Sequence, residues 1–113
     1  MDIPLQPLRI PTGWTVSYNG LCEIDPVAEA IPEGEHSWFF KENMLQIKHD
    51  HFNRLLDVGW YPDGDLEHGE YALTLHEGDF VTGRQIFEFR TRDRLALVAE
   101  INRLLLGVVE ETI

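Results

Sequence analysis

The sequence predicts an α+β fold: one domain over residues 1–113, with an antiparallel β-sheet meander of about five or six strands and one C-terminal amphipathic helix packed on one face. Several short segments place apolar side chains at every second position, the spacing of a strand with one buried face. Turn-forming residues separate these segments, as in consecutive hairpins. The final segment has helical spacing instead. An apolar share of 43% is enough for one core without disulfides or metal.

The first strand is predicted at residues 13–18, where Trp14, Val16 and Tyr18 share one face. The Asn-Gly pair that follows favours a turn. Three prolines within residues 1–12 make the preceding segment an irregular arm, because proline lacks a backbone donor.

The segment after the first strand is mostly loop. Residues 21–24 could form a short return strand, and residues 25–37 hold two prolines, a glycine and four acidic side chains. This composition indicates a surface loop, with one helical turn at 27–30. Residues 38–40 are Trp, Phe and Phe, which are too apolar to remain in water, so we expect them to be buried.

The remaining strands also alternate, and polar turns separate them. They are residues 44–48, 54–60, 71–75 and 84–90. In the second of these strands, Leu56, Val58 and Trp60 share the face expected to be buried, whereas Asp57 lies on the other face. In the last strand, two phenylalanines are expected to face the core.

The C-terminal helix is predicted at residues 91–106. Thr91 is the expected N-cap, and Gly107 is expected to close the helix. Val98 should be buried together with Leu95 and Ile101. The full apolar stripe that should cover the sheet consists of Leu95, Val98, Ile101, Asn102 and Leu105, widened by Leu97 and Leu104.

The net charge is −11 and is unevenly distributed along the chain. Residues 1–82 hold 4 basic and 15 acidic side chains, whereas residues 83–113 hold 5 of each. Such a charge repels nucleic acid and anionic membranes and attracts basic partners. The alternative is that the acidic side chains only keep the protein in solution.

The single cysteine and the first residues bear on the compartment. Cys22 cannot form an intramolecular disulfide, which fits a reducing compartment. Glu23 and Asp25 would raise the pKa of its thiol, which favours a buried structural role. The sequence has no basic leader and no run of roughly 20 apolar residues. We therefore expect a cytoplasmic protein without a membrane partner.

Metal binding and catalysis have weak signals. His49 and His51 could share a strand face, but no third ligand is recognisable, so a solvated turn is the favoured interpretation. The acidic run Asp63–Glu67 resembles a calcium loop only loosely, because His68 stands where an EF-hand needs glycine. No nucleophile motif and no phosphate-binding loop is present. We expect no catalytic residue, no metal and no cofactor.

Aromatic side chains beside acidic loops give the best candidate site. Trp and Tyr dominate binding hot spots, and carboxylates steer a basic partner. Tyr61 and Trp38 are the aromatic residues expected to be partly exposed, because both adjoin acidic loops. The expected partner-binding residues are Asp63, Asp65, Glu67, Glu70, Tyr61, Trp38, Glu33 and Glu35.

Three segments carry a resemblance to a known group of proteins: IPTGWTVSYN (10–19), LDVGWYPDGD (56–65) and FRTRDRL (89–95). Their order before a final helix is similar to that in small acidic bacterial immunity proteins encoded next to secreted toxins, including contact-dependent growth inhibition systems. The resemblance implies a non-catalytic protein that binds one cognate basic toxin, such as a nuclease, and covers its active site. It implies no individual functional residue.

Other functions stay open at this stage. The chain could be a housekeeping interaction domain or a self-associating structural protein without a toxin partner, or a metal-dependent hydrolase that uses His49 and His51. The sequence does not indicate the oligomeric state.

Overall fold

Five antiparallel strands form one sheet in the computed structural model, which describes residues 3–32, 34–79 and 81–113. The strands are β1 (Trp14–Asn19), β2 (Leu45–His49), β3 (Arg54–Tyr61), β4 (Glu70–Glu77) and β5 (Arg84–Thr91). Their spatial order is their chain order, β1-β2-β3-β4-β5. The predicted meander is therefore confirmed.

In the part of the chain that the structure describes, two α-helices and one 3₁₀ turn accompany the sheet. They are α1 (His36–Phe39), α2 (Arg94–Val109) and the turn Ala28–Ala30, which lies within the predicted helical turn. Helix α2 packs against β4 and β5 on one face of the sheet. The other face is not covered by a helix, and we call it the open face.

Strand β3 is the centre of the sheet, and its core-facing side chains have the predicted alternation. Leu56, Val58 and Trp60 are fully buried. Across β4, Trp60 lies opposite Tyr71, and their rings meet edge to face with centroids 5.0 Å apart. The two rings pack closely because directly opposed residues on neighbouring antiparallel strands place their side chains on the same face of the sheet.

Two expectations for the first quarter of the chain are wrong. Residues 21–24 form no strand; Cys22 makes one isolated bridge with Leu5 of the arm. Strand β1 contains a β-bulge between Val16 and Tyr18, so Tyr18 pairs with Gln46 and lies on the open face instead of sharing the face of Trp14. A bulge adds one residue to a strand and so reverses the alternation beyond it.

Helix α2 begins later than predicted. The N-cap is Asp93, whose side chain accepts hydrogen bonds from the backbone N–H groups of Leu95 and Ala96. Thr91 cannot be the N-cap, because it is the last residue of β5 and pairs with Tyr71.

Helix α2 also ends later than predicted, because Gly107 lies inside it. The N–H of Thr112 donates to the carbonyl of Gly107 over 2.9 Å, and the N–H of Glu111 donates to that of Val108 over 3.1 Å. This is the Schellman pattern of hydrogen bonds at a helix end. Glu111 occupies its left-handed position with φ of 59°.

The buried face of α2 differs from the predicted one. Leu95 is 65% exposed, and Val98 is only partly buried. The buried positions are Leu97, Ile101, Leu104, Leu105, Gly107 and Val108. Leu97, Ile101, Leu104 and Leu105 of the predicted stripe are therefore confirmed. The helix is rotated about its axis relative to a face centred on Val98, so that its first buried turn carries Leu97 without Leu95.

Candidate functional site

Two segments far apart in sequence form one surface at the end of the sheet where β3 finishes. The backbone N–H of Gly64 donates to the carbonyl of Phe40 over 2.7 Å, and the Asp63 carboxylate accepts from the N–H of Glu42 over 3.2 Å. Gly64 has φ of 70°, and a Cβ atom there would lie 2.1 Å from the Ser37 hydroxyl oxygen. Glycine therefore allows α1 to sit directly on the acidic turn 62–69.

Trp38 is the most exposed aromatic side chain of this surface, at 71%. Helix α1 turns Phe39 and Phe40 into the core, which leaves the indole outside. The Lys41 ammonium lies 5.4 Å from the indole centroid. The expectation that all of residues 38–40 are buried is wrong for Trp38, because a four-residue helix cannot turn three successive side chains the same way. The separate expectation that Trp38 is exposed beside an acidic loop is confirmed.

Tyr61 lies beside the same turn and is 36% exposed. Its hydroxyl donates to the carbonyl of Glu42 over 3.4 Å, and its ring approaches the bare Cα of Gly59. A Cβ atom at Gly59 would lie 2.1 Å from the Glu42 carbonyl oxygen. The missing side chain at Gly59 therefore makes room for the 41–43 segment and for the Tyr61 ring.

The carboxylates of the acidic turn have different surroundings. Asp65 accepts from the backbone N–H of His68 over 3.0 Å and lies 3.1 Å from its Nδ1 atom, and the backbone hydrogen bond lowers the pKa of this carboxyl. Glu70 lies 3.4 Å from Arg90 on β5. The Glu67 side chain is 85% exposed, and its carboxylate lies 3.9 Å from the His68 ring nitrogen. Asp63 and Asp65 thus stabilise the turn by accepting backbone hydrogen bonds, whereas Glu67 is exposed and contributes negative charge to the surface.

Arg92 binds the backbone of the acidic turn. Its guanidinium donates to the carbonyls of Leu66 and Gly69, and the Trp60 indole N–H donates to the carbonyl of Asp65 over 2.9 Å. Two side chains of the sheet region therefore hold the turn in place. Arg92 lies 23 and 26 residues after its acceptors Gly69 and Leu66, and Trp60 lies 5 residues before its acceptor Asp65.

The second predicted acidic patch is described only in part. Glu35 directly precedes α1, is exposed, and makes no capping hydrogen bond with its side chain. Glu33 lies outside the described residues. Trp38, Tyr61, Glu35 and Glu67 together form what we call the aromatic–acidic surface.

Asp57 is a further candidate that the sequence pattern did not place in the site. It lies at the centre of the open face, and its carboxylate accepts from the Tyr18 hydroxyl over 3.4 Å. Burial raises the pKa of Asp57 to about 6, against the opposing effect of hydrogen bonds from Tyr18 and Gln46. The sequence signal was its position between two buried-face residues, but its partial burial depends on strand pairing.

The histidine pair proposed as a metal site is packed differently from the expected solvated turn. His49 is buried in β2, and its ring lies edge-on to Trp14 with centroids 5.2 Å apart. Its Nδ1 atom accepts from the N–H of Phe52 over 3.2 Å. The centroids of the His49 and His51 rings are 6.5 Å apart. Within residues 3–32, 34–79 and 81–113, no group of three or more His, Cys, Asp or Glu residues is placed to hold a metal ion.

Cys22 is half-buried and does not lie at the aromatic–acidic surface. Its thiol donates to the carbonyl of Gly20 over 3.6 Å. Burial raises the pKa of the thiol, and Lys41 opposes this effect. The expected influence of Glu23 and Asp25 is not among its causes.

In comparisons with known proteins, the chain matches no family model, no curated protein and no solved structure. Across the described part of the chain, no helix has the length and apolar character needed to cross a membrane.

Proposed function

We propose that this chain is a non-catalytic acidic binding protein that recognises and neutralises a basic bacterial toxin as its immunity protein. The resemblance of three sequence segments to such proteins suggests this role. The observation that supports it best is the exposure of Trp38 beside the acidic turn.

An exposed indole is unfavourable in water unless something covers it. Covering the exposed part of Trp38 would contribute roughly 3 kcal/mol, from about 25 cal/mol per Å² of apolar area and about 200 Å² for the side chain. Trp is also the residue type most enriched among binding hot spots. Trp38 is therefore the proposed anchor, and Tyr61 is the second aromatic contact.

The acidic side chains determine which partner the anchor meets. With a net charge of −11, the protein attracts a basic surface and repels nucleic acid. Glu35 and Glu67 point into solvent on the two segments that meet at Gly64, so they can steer a basic protein toward Trp38. Steering of this kind raises the association rate and weakens with added salt.

The test uses the protein encoded next to this one, purified as its toxin domain. We expect a stable complex that abolishes toxin activity at equal molar amounts, and Trp38→Ala should weaken affinity by about 30-fold, as for a typical hot spot. Leu95→Ala is the matched control, because Leu95 is a similarly exposed apolar residue on α2. Equal loss in both variants, or a neighbour that does not bind, contradicts the proposal.

A salt series tests the steering separately. Glu35→Gln with Glu67→Gln should lower the association rate and flatten its dependence on salt, with a smaller effect on dissociation. These two positions are preferred to Asp63 and Asp65, whose carboxylates accept backbone hydrogen bonds from Glu42 and His68. An unchanged rate and an unchanged salt slope would show that the acidic side chains only solvate the turn.

A further inference from the structure

The open face of the sheet has one carboxylate at its centre. On this face, Asp57 of β3 lies between Gln46 of β2 and Thr74 of β4. Beyond Gln46, the bulge in β1 brings Tyr18 into the same row. Asp57 is thus surrounded by protein on both sides and open only in the direction away from the sheet.

Asp57 has no Lys or Arg partner among the described residues, because the two strand cations on its face, Lys48 and Arg90, lie beside other carboxylates. Lys48 lies 4.0 Å from Asp50. Arg90 lies 3.4 Å from Glu70 and 3.6 Å from Glu88. A partly buried carboxylate without a cation is costly, so this position favours the arrival of a cation from outside.

Two tyrosines stand beside the carboxylate. The Tyr18 hydroxyl is 3.4 Å from Asp57, and the Tyr61 ring lies over Gly59 on the same face, two residues along β3. Each tyrosine is 36% exposed, so a ligand can reach both rings. The Glu42 carbonyl oxygen, which accepts a long 3.4 Å bond from Tyr61, is a further acceptor at this place.

We propose that Asp57, Tyr18 and Tyr61 form a receptor for a guanidinium group, which on the proposed function would be an arginine of the basic partner. A planar guanidinium can donate to the carboxylate and to the Glu42 carbonyl while it lies against a tyrosine ring. An ammonium group has no flat face to stack and is more strongly hydrated. The receptor therefore selects arginine over lysine.

The protonation state of the carboxylate controls this receptor. Burial holds the pKa of Asp57 near 6, so the anion forms as the pH rises through that value, and binding should strengthen over the same range. The other charged or titratable groups on this face are Tyr18, Lys48, Tyr61, Glu70, His76, Glu88 and Arg90, with Lys41 and Glu42 on the adjoining loop. Of these, His76 has its pKa lowered by burial, so it adds no positive charge near pH 7.

The experiment needs no toxin. The peptide acetyl-Gly-Arg-Gly-amide is titrated into the isotope-labelled protein at pH 7.5, and backbone amide resonances are followed by NMR. The matched peptides carry lysine or citrulline in place of arginine. We expect saturable shifts at Tyr18, Asp57 and Tyr61 at roughly millimolar arginine peptide, binding at least about threefold weaker for lysine, and none for citrulline.

The variants separate the receptor from general charge attraction. Asp57→Asn should abolish the shifts, and Glu88→Gln, which removes a carboxylate from the same face, should leave them unchanged. The carboxyl ¹³C resonance of Asp57 should titrate at a lower pH when the arginine peptide is present. Equal binding of the arginine peptide by wild type and Asp57→Asn, or equal binding of all three peptides, would overturn the proposal.

The outcomes for receptor and toxin binding are independent. Loss of arginine-peptide binding in Asp57→Asn, combined with a neighbouring toxin that does not bind, would support the receptor and contradict the immunity function. Toxin binding through Trp38, combined with no arginine-peptide binding, would contradict the receptor alone.

Discussion

The Arg92 guanidinium carbon lies 5.5 Å from the centroid of the Trp60 indole, so one side chain stacks on the sheet and binds the acidic turn at once. Its donors reach the carbonyls of Leu66 and Gly69. The surface that carries Glu67 is therefore held in one conformation, which a binding surface needs if little entropy is to be lost on association.

Removing the guanidinium should loosen this turn. We predict that Arg92→Met, which keeps the apolar stem, lowers the free energy of unfolding by about 1–2 kcal/mol, because charged donors to two carbonyls are lost. Chemical denaturation measures the change. Arg84→Met is the control. Arg84 is exposed and makes a long ion pair of 3.8 Å with Glu77, so the stability of this variant should stay within about 0.5 kcal/mol of wild type. Equal losses would show that Arg92 does not fasten the turn.

The rotated face of α2 makes a direct prediction for two neighbouring leucines. Leu97 is fully buried and Leu95 is exposed. Leu97→Ala should cost about 2–5 kcal/mol by leaving a cavity, whereas Leu95→Ala should change stability by less than about 0.5 kcal/mol. Thermal and denaturant unfolding of both variants decides between this face and the one centred on Val98. The reverse ranking would restore the latter.

The helix end can be improved by one substitution. Glu111 has φ of 59°, a conformation that costs a non-glycine residue about 1 kcal/mol. Glu111→Gly should therefore raise the free energy of unfolding by about 0.5–1 kcal/mol. Glu110→Gly is the matched control, because Glu110 has φ of −86°, so glycine there should be destabilising. A loss of stability in Glu111→Gly would contradict the Schellman geometry.

The stability of the protein should depend on pH through Asp57. Its pKa is about 6 in the folded protein and near 4 in an unfolded chain, so the folded state binds more protons between these values. The contribution of Asp57 is therefore favourable below about pH 4 and is lost as the pH rises through about 6.

The substitution Asp57→Asn removes this dependence. It should stabilise the protein at pH 7.5 by about 1–2 kcal/mol, less than the full shift of two pKa units because the site is partly open to water, and by much less at pH 4. Denaturant unfolding at both pH values measures the difference, with Glu88→Gln as the control. An equal effect of Asp57→Asn at the two pH values would show that Asp57 is not desolvated.

The core of β3 could be predicted because it follows from local alternation, and the strand order because turn-forming residues separate the strands as in consecutive hairpins. Leu56, Val58 and Trp60 have no competing pattern. The face of α2 could be predicted only in part: Leu97, Ile101, Leu104 and Leu105 of the expected stripe are buried, whereas Leu95 is exposed. Apolar residues such as Leu95 and Leu106 extend around much of the helix, so contact with the sheet decides which of them are buried.

Two errors have a common cause in pairing between distant residues. Thr91 and Asp93 are both good caps, and only the pairing of Thr91 with Tyr71 excludes Thr91. Similarly, simple alternation places Tyr18 on the same face as Trp14, because the bulge that reverses its face forms only when β1 pairs with β2.

The candidate site could be predicted in composition but not in arrangement. The acidic loops and Trp38 are visible in the sequence. The contact of Ser37 with Gly64, which joins two loops into one surface, involves residues 27 positions apart and has no sequence signal.

The arm and β1 are both bonded to the last helix. The Trp14 indole N–H donates to the carbonyl of Leu105 over 3.1 Å, and the N–H of Arg9 donates to the Asn102 side chain over 2.9 Å. During synthesis, neither bond can form before α2 has emerged from the ribosome. Until then the nascent sheet presents an uncovered apolar face to chaperones and proteases. A premature stop codon before α2 would therefore leave a chain that cannot cover its core, even if all five strands have paired.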